Sequence, residues 1–170
     1  MRYKIDDTIL YGTHGVCRIT DVSEKTFNGC SKEYYVLKPV NDEKATVFVP
    51  AGNEKLIAKM RHVLTADEIH ELIRAMPGKD TIWIENESER KDKYKKILMS
   101  GDRVELVQLI KTLYNHQKEQ IAAGKKLHMT DERFMKDAER LLYEEFAHVL
   151  DIQYEQVLLL IVEELDVEAK

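Results

Sequence analysis

The chain has 170 residues, 44% of them hydrophobic and 34% charged, with a net charge of −5. That composition describes a globular protein, of one domain or two small ones, and excludes a disordered tail. No apolar run approaches the ~20 residues of a membrane helix.

The opening stretch MRYKIDDTIL has no apolar signal core, so the expectation is a cytoplasmic protein without membrane contact. The acidity is unevenly spread. Residues 1–64 carry ten Lys/Arg against eight Asp/Glu, 65–85 two against five, 86–126 ten against six, and 127–170 four against twelve. A basic middle is thus hidden in an acidic average, and any nucleic-acid contact it makes would be weak and salt-sensitive. The two cysteines, Cys17 and Cys30, imply no disulfide framework; both fall on predicted strands as small apolar residues.

Residues 1–50 read as strands. Short β-branched or aromatic runs at 8–11, 16–19, 34–37 and 46–49 are separated by turn signals, including Asn28-Gly29, whose two positive-φ positions suit a hairpin. Such spacing predicts a small antiparallel barrel. From Thr65 the period becomes helical. Thr65 and Glu68 form a capping box for a helix that stops at Pro77-Gly78. A second helix runs over about 87–99 and ends at Ser100-Gly101. Asp102 starts a third with a box-like cap, Thr130 a fourth, and a fifth spans about 152–165. The fold class is therefore α+β in two domains: residues 1–56 a small barrel, residues 57–170 an all-α bundle of about five helices.

Chemistry is scarce. His70 begins a zinc-protease-like spacing, but the second ligand position is Arg74, a cation that would repel a metal. The histidines are scattered, and His14 between Gly12 and Gly15 has no nucleophile or carboxylate arranged beside it. No phosphate loop or dinucleotide fingerprint is present. The expectation is a protein that is not an enzyme and holds no metal or cofactor. The stretch 79–96, KDTIWIENESERKDKYKK, is the most distinctive. It sets the single tryptophan, Trp83, just before Arg90, Lys91 and Lys93. A ring beside cations suits a nucleic acid, and equally a core anchor beside a solvated helix face.

Several motifs are shared with a known family. Residues 7–19, DTILYGTHGVCRI, residues 33–38, EYYVLK, and the Val49-Pro50 strand end resemble the opening of the CarD/CdnL family of bacterial transcription regulators. In the helical half, residues 98–102, LMSGD, with 111–113 and 138–147, continue the resemblance in order. It implies a Tudor-like barrel that binds the β-subunit lobe of RNA polymerase. It further implies a helical domain reaching promoter DNA, weakly and without sequence specificity, at the upstream edge of the melted region. There a tryptophan contacts the minor groove and helps to hold the open complex.

On this sequence the resemblance places Trp83 at the wedge, with Arg90, Lys91 and Lys93 as phosphate contacts, and Lys25, Thr26 and Phe48 as polymerase contacts. Relatives often carry Arg where Phe48 stands, and some present lysine where residues 131–133 read DER. Phe48 has a second reading as a barrel-core residue. The expected partners are RNA polymerase and promoter DNA, and a monomer is expected. The alternative is a protein-only adaptor whose acidic helical domain recruits another protein without touching DNA.

Overall fold

A computed structural model describes residues 2–78 and 82–169, with side chains to residue 164. Residues 79–81, the first part of the tryptophan-bearing stretch, lie outside the described residues. The chain divides into two compact units, Met1–Val63 and Leu64–Lys170.

The first unit is a five-stranded antiparallel sheet in the order β4-β3-β2-β1-β5. Its strands are β1 (Thr8–Tyr11), β2 (Val16–Phe27), β3 (Cys30–Pro39), β4 (Val47–Pro50) and β5 (Met60–His62). A one-turn helix, α1 (Glu54–Ile57), is capped by Asn53 and precedes β5. The architecture is the expected one, except that the sheet is open: β4 and β5 are its edges, and no pairing joins them among the described residues. Asn28 and Gly29 take φ of 51° and 78°, the left-handed pair that a two-residue hairpin needs. The apolar side packs Tyr3, Ile9, Cys17, Ile19, Tyr35, Leu37 and Val49 around Ile57 and Met60.

One irregularity decides which way the outer half of β2 faces. Ile19 pairs with Leu37, and Asp21 with Val36, so Thr20 is an extra residue. This bulge reverses the alternation. Cys17 and Ile19 face the core before it and Val22 after it. Without it Asp21 would point inward. With it, Asp21, Ser23, Lys25 and Phe27 all lie on the outer face.

The second unit is helical. Thr65 caps α2 (Ala66–Ala75) with both halves of the capping box formed. A single 3-10 turn (Met76–Gly78) follows, residues 82–84 have no regular structure, and α3 (Glu87–Ser100) ends at Gly101, left-handed with φ of 64°. Asp102 caps α4 (Arg103–Ala122) through the Glu105 amide. Its own amide bonds Ser100 Oγ at 3.2 Å. Helix α5 (Met129–Leu150) begins two residues earlier than expected. His128, not Thr130, occupies the cap, and its ring Nδ1 accepts from the Thr130 amide at 3.4 Å. Asp151 turns left-handed and α6 (Tyr154–Ala169) completes the unit.

Two apolar clusters share α4 and α5. Tyr94, Ile97, Leu109, Leu113, Phe134 and Ala138 join them to α3. Ile69, Ile73, Leu142, Phe146, Val157 and Ile161 join them to α2 and α6. No helix is long and apolar enough to cross a membrane, and no group of His, Cys, Asp and Glu is placed to hold a metal ion, among the described residues.

Candidate functional site

The outer face of the sheet carries two of the three expected polymerase contacts. Lys25 stands opposite Lys32, Phe27 opposite Cys30, Ser23 opposite Tyr34, and Val36 opposite Phe48. These residues therefore share one side. Thr26 faces the other side, where its hydroxyl meets that of Ser31. Phe48 is 41% exposed, while its neighbours Val47 and Val49 turn inward, so the core reading of Phe48 does not hold.

Phe48 belongs to an exposed aromatic cluster. The ring of Phe27 lies edge-on to Tyr34 at 5.2 Å and to Phe48 at 5.3 Å, and Tyr34 to Phe48 at 6.4 Å. Lys25 and Lys32 sit directly opposite each other, a like-charge pairing that costs the sheet a little and keeps this face cationic. Arg18 and Lys38, also opposite each other, lie on the same face. Asp21 partly balances them: the Ser23 hydroxyl chiefly, with Lys25 at 3.4 Å, holds its carboxyl below the usual range. Sequence reasoning did not single out Phe27 and Tyr34. Counting back from the Asn28-Gly29 turn would have paired Phe27 with Cys30 and Ser23 with Tyr34.

His14, by contrast, is part of a turn. Its ring stacks on Tyr11 at 5.8 Å and 13°.

In the second unit Trp83 lies between α2 and α3 on a segment with no regular structure, partly buried against the α3–α4–α5 cluster. His116 of α4 stacks on the indole at 3.8 Å and 22°. The Arg90 guanidinium lies 4.5 Å from the ring centroid, a cation–π contact. The indole N–H donates to Glu85 Oε1 at 3.1 Å.

The backbone beneath the ring is braced from two helices, α3 and α4. The Ile82 amide donates to Thr112 Oγ1 at 2.8 Å, and its carbonyl accepts from the Tyr94 hydroxyl at 3.3 Å. Arg90 Nη1 donates to the carbonyls of Ile84 at 3.0 Å and Glu85 at 3.4 Å. Tyr94 is fully buried, and burial pushes its phenol up to about 12.

Arg90 is therefore not a surface phosphate contact. It is 7% exposed, and its fork meets Asp131 with Nε–Oδ1 at 3.0 Å and Nη2–Oδ2 at 3.1 Å. Asp131 holds this fork in place from α5. Lys91 pairs with Glu87 at 3.2 Å, where the Lys91 ammonium chiefly holds the Glu87 carboxyl below its usual range. Lys93 is exposed. Sequence reasoning missed His116, Thr112 and Asp131, which are 33, 29 and 48 positions from Trp83 and reach it only through packing.

Both surfaces set aromatic rings beside cations. The chain belongs to the CarD-like family. Residues 3–64 match the CarD-like/TRCF RID domain, and residues 71–162 match the CarD C-terminal domain. It is a regulator of transcription that interacts with RNA polymerase, in a family of interaction proteins rather than enzymes.

Proposed function

We propose that this protein binds the β-subunit lobe of RNA polymerase through the outer face of its sheet, and promoter DNA at the upstream edge of the bubble through Trp83, and so stabilises the open complex. The observation that carries the DNA half is the bracing of residues 82–85. Four side-chain bonds hold an irregular segment whose ring is only partly buried. With Arg90 withdrawn, Lys93 and the paired Lys91 make a weak phosphate grip, and the ring edge does the rest at base steps that melting has already distorted. On the polymerase side, Phe27, Tyr34 and Phe48 supply apolar anchors inside a rim of Lys25, Lys32 and Arg18. Linking two weak contacts raises overall affinity through effective concentration, so free DNA need not bind measurably.

The test is open-complex lifetime on a promoter that responds to the protein. Trp83→Ala should abolish the gain in lifetime while polymerase binding stays as in the parent. A lifetime unchanged by Trp83→Ala removes the wedge role. Crosslinking from position 83 in the polymerase–promoter complex should yield a DNA adduct, and a protein-only adaptor would give none.

A further inference from the structure

Helix α6 is apolar on two sides, and only one of them is covered. Val157 and Ile161 are buried against α2, α4 and α5. On the other side Leu158 is 56% exposed, Leu159 60% and Val162 46%, with Tyr154 one turn before Leu158. Residues four apart lie one above the other, so Tyr154, Leu158 and Val162 form a continuous stripe with Leu159 beside it. Single exposed leucines are ordinary, but an unbroken apolar row over more than two turns marks a contact surface.

The rim of this row is acidic. Glu155 and Glu163 stand exposed on the same helix. From α5, Glu139 and Glu144 face Tyr154: burial first, then these two carboxylates, push its phenol upward. Burial also pushes the Glu139 carboxyl upward, against the pull of Lys136. Arg140 pairs with Glu144 at 3.7 Å. Glu164 belongs to the covered side, where it holds His70 at 2.8 Å and Arg74 at 3.7 Å.

An acidic rim around an apolar row selects its occupant. A second copy docked on the same patch would set these carboxylates against themselves, because a two-fold contact repeats each surface. A nucleic acid or an anionic membrane would be repelled. We propose that the outer face of α6 docks a basic amphipathic helix of a protein partner, whose apolar side covers Leu158, Leu159 and Val162 while its Lys or Arg residues reach the exposed Glu155 and Glu163. This helix-on-helix recognition needs apolar anchors at i, i+3/i+4 and i+7 on the partner. It is independent of the DNA contact at Trp83.

The test uses the full chain and a fluorescein-labelled peptide of Leu and Lys, about 18 residues long so as to span five helical turns, with the leucines on one helical face. Controls are the same composition permuted to spread the leucines, and a Leu/Glu version. Anisotropy titration should show the amphipathic basic peptide binding at least about tenfold tighter than the permuted one. The triple variant Leu158→Ser, Leu159→Ser, Val162→Ser, and separately Glu155→Lys with Glu163→Lys, should each weaken binding at least about tenfold. Both change exposed side chains, and unaltered Trp83 emission checks that the unit stays folded. Equal binding of the permuted peptide, or parental binding by either variant, overturns the proposal. So does sedimentation showing that the parent self-associates and the serine variant does not, which makes a second copy the occupant.

Discussion

Breaking the Arg90–Asp131 fork separates stability from positioning. Asp131 is 2% exposed and Arg90 7%, so Asp131→Ala leaves a guanidinium buried without its counter-ion. Removing one partner of a buried pair costs about 3–5 kcal/mol, whereas replacing both by apolar residues of similar volume is close to neutral. Asp131→Ala should therefore lower the urea midpoint of the helical unit by about 1.5–2.5 M, taking a slope of about 2 kcal/mol per molar. The double variant Arg90→Met, Asp131→Leu should recover most of that loss. It cannot recover the two bonds from Nη1 to the Ile84 and Glu85 carbonyls, or the cation over the indole. As the chain has a single tryptophan, its emission reports this site and this unit alone. The double variant should show a red-shifted, more quenchable Trp83 in a protein of near-parental midpoint. An unshifted emission would show that Arg90 does not hold the segment. A midpoint as low as that of Asp131→Ala would show that the pair itself stabilises the unit.

Three further outcomes follow from the same geometry. Thr112→Val removes the acceptor of the Ile82 amide, and should cost about 1–3 kcal/mol in urea unfolding while shifting Trp83 emission in the same direction as the double variant. Phe48→Ala should leave the thermal midpoint of the sheet unit nearly unchanged, since the ring is exposed, yet weaken polymerase binding about tenfold or more in a pull-down titration; parental affinity would remove Phe48 from the interface. Alkali should loosen the two units in different windows. Burial raises the Cys17 thiol from 9.0 to about 11 and the Tyr94 phenol from 10.0 to about 12. Both groups stay neutral in the folded state while the unfolded chain ionises. Their contribution is whole below pH 9 for the sheet and pH 10 for the helices, and it is lost as pH rises through the folded values. Tyr94→Phe should reduce, but not abolish, the helical unit's loss of midpoint above pH 10, because burial also raises the Tyr143 and Tyr154 phenols of that unit; a loss as large as the parent's, followed by Trp83 emission, would show that Tyr94 contributes nothing to it.

What was legible in the sequence was local. The Thr65 box, the Asn28-Gly29 turn and the left-handed Gly101 depend on residues within four positions of one another, and each took the geometry its chemistry favours. What was not legible depended on distant partners. Arg90 looked like one member of a solvated cationic run, because nothing near it announces Asp131, 41 residues on. Thr130 is a good cap by composition, but the ring nitrogen of His128 caps the helix two residues earlier, on the amide of Thr130 itself. The bulge at Thr20 carries no residue signal at all, and it decides that Lys25 and Phe27 face outward. The fifth strand, three residues long, is too short to show a period and exists through its pairing with β1.

The Arg90–Asp131 pair is also the reason to look for function at residues 82–85. A buried ion pair is a poor stabiliser, and an apolar pair would serve a core as well. What an apolar pair cannot do is donate to two carbonyls of an irregular segment and place a flat cation against an indole. Fixing backbone on binding costs roughly 1–2 kcal/mol per residue, so ordering four loose residues at the moment of contact would cost on the order of 4–8 kcal/mol. A single ring edge meeting a macromolecule does not return that much. Held in advance by Thr112, Tyr94 and Arg90, the segment has met this cost during folding, and Trp83 can contribute nearly all of its contact energy to a partner. On the proposed reading of Trp83, the buried ion pair is spent on fixing where that side chain points.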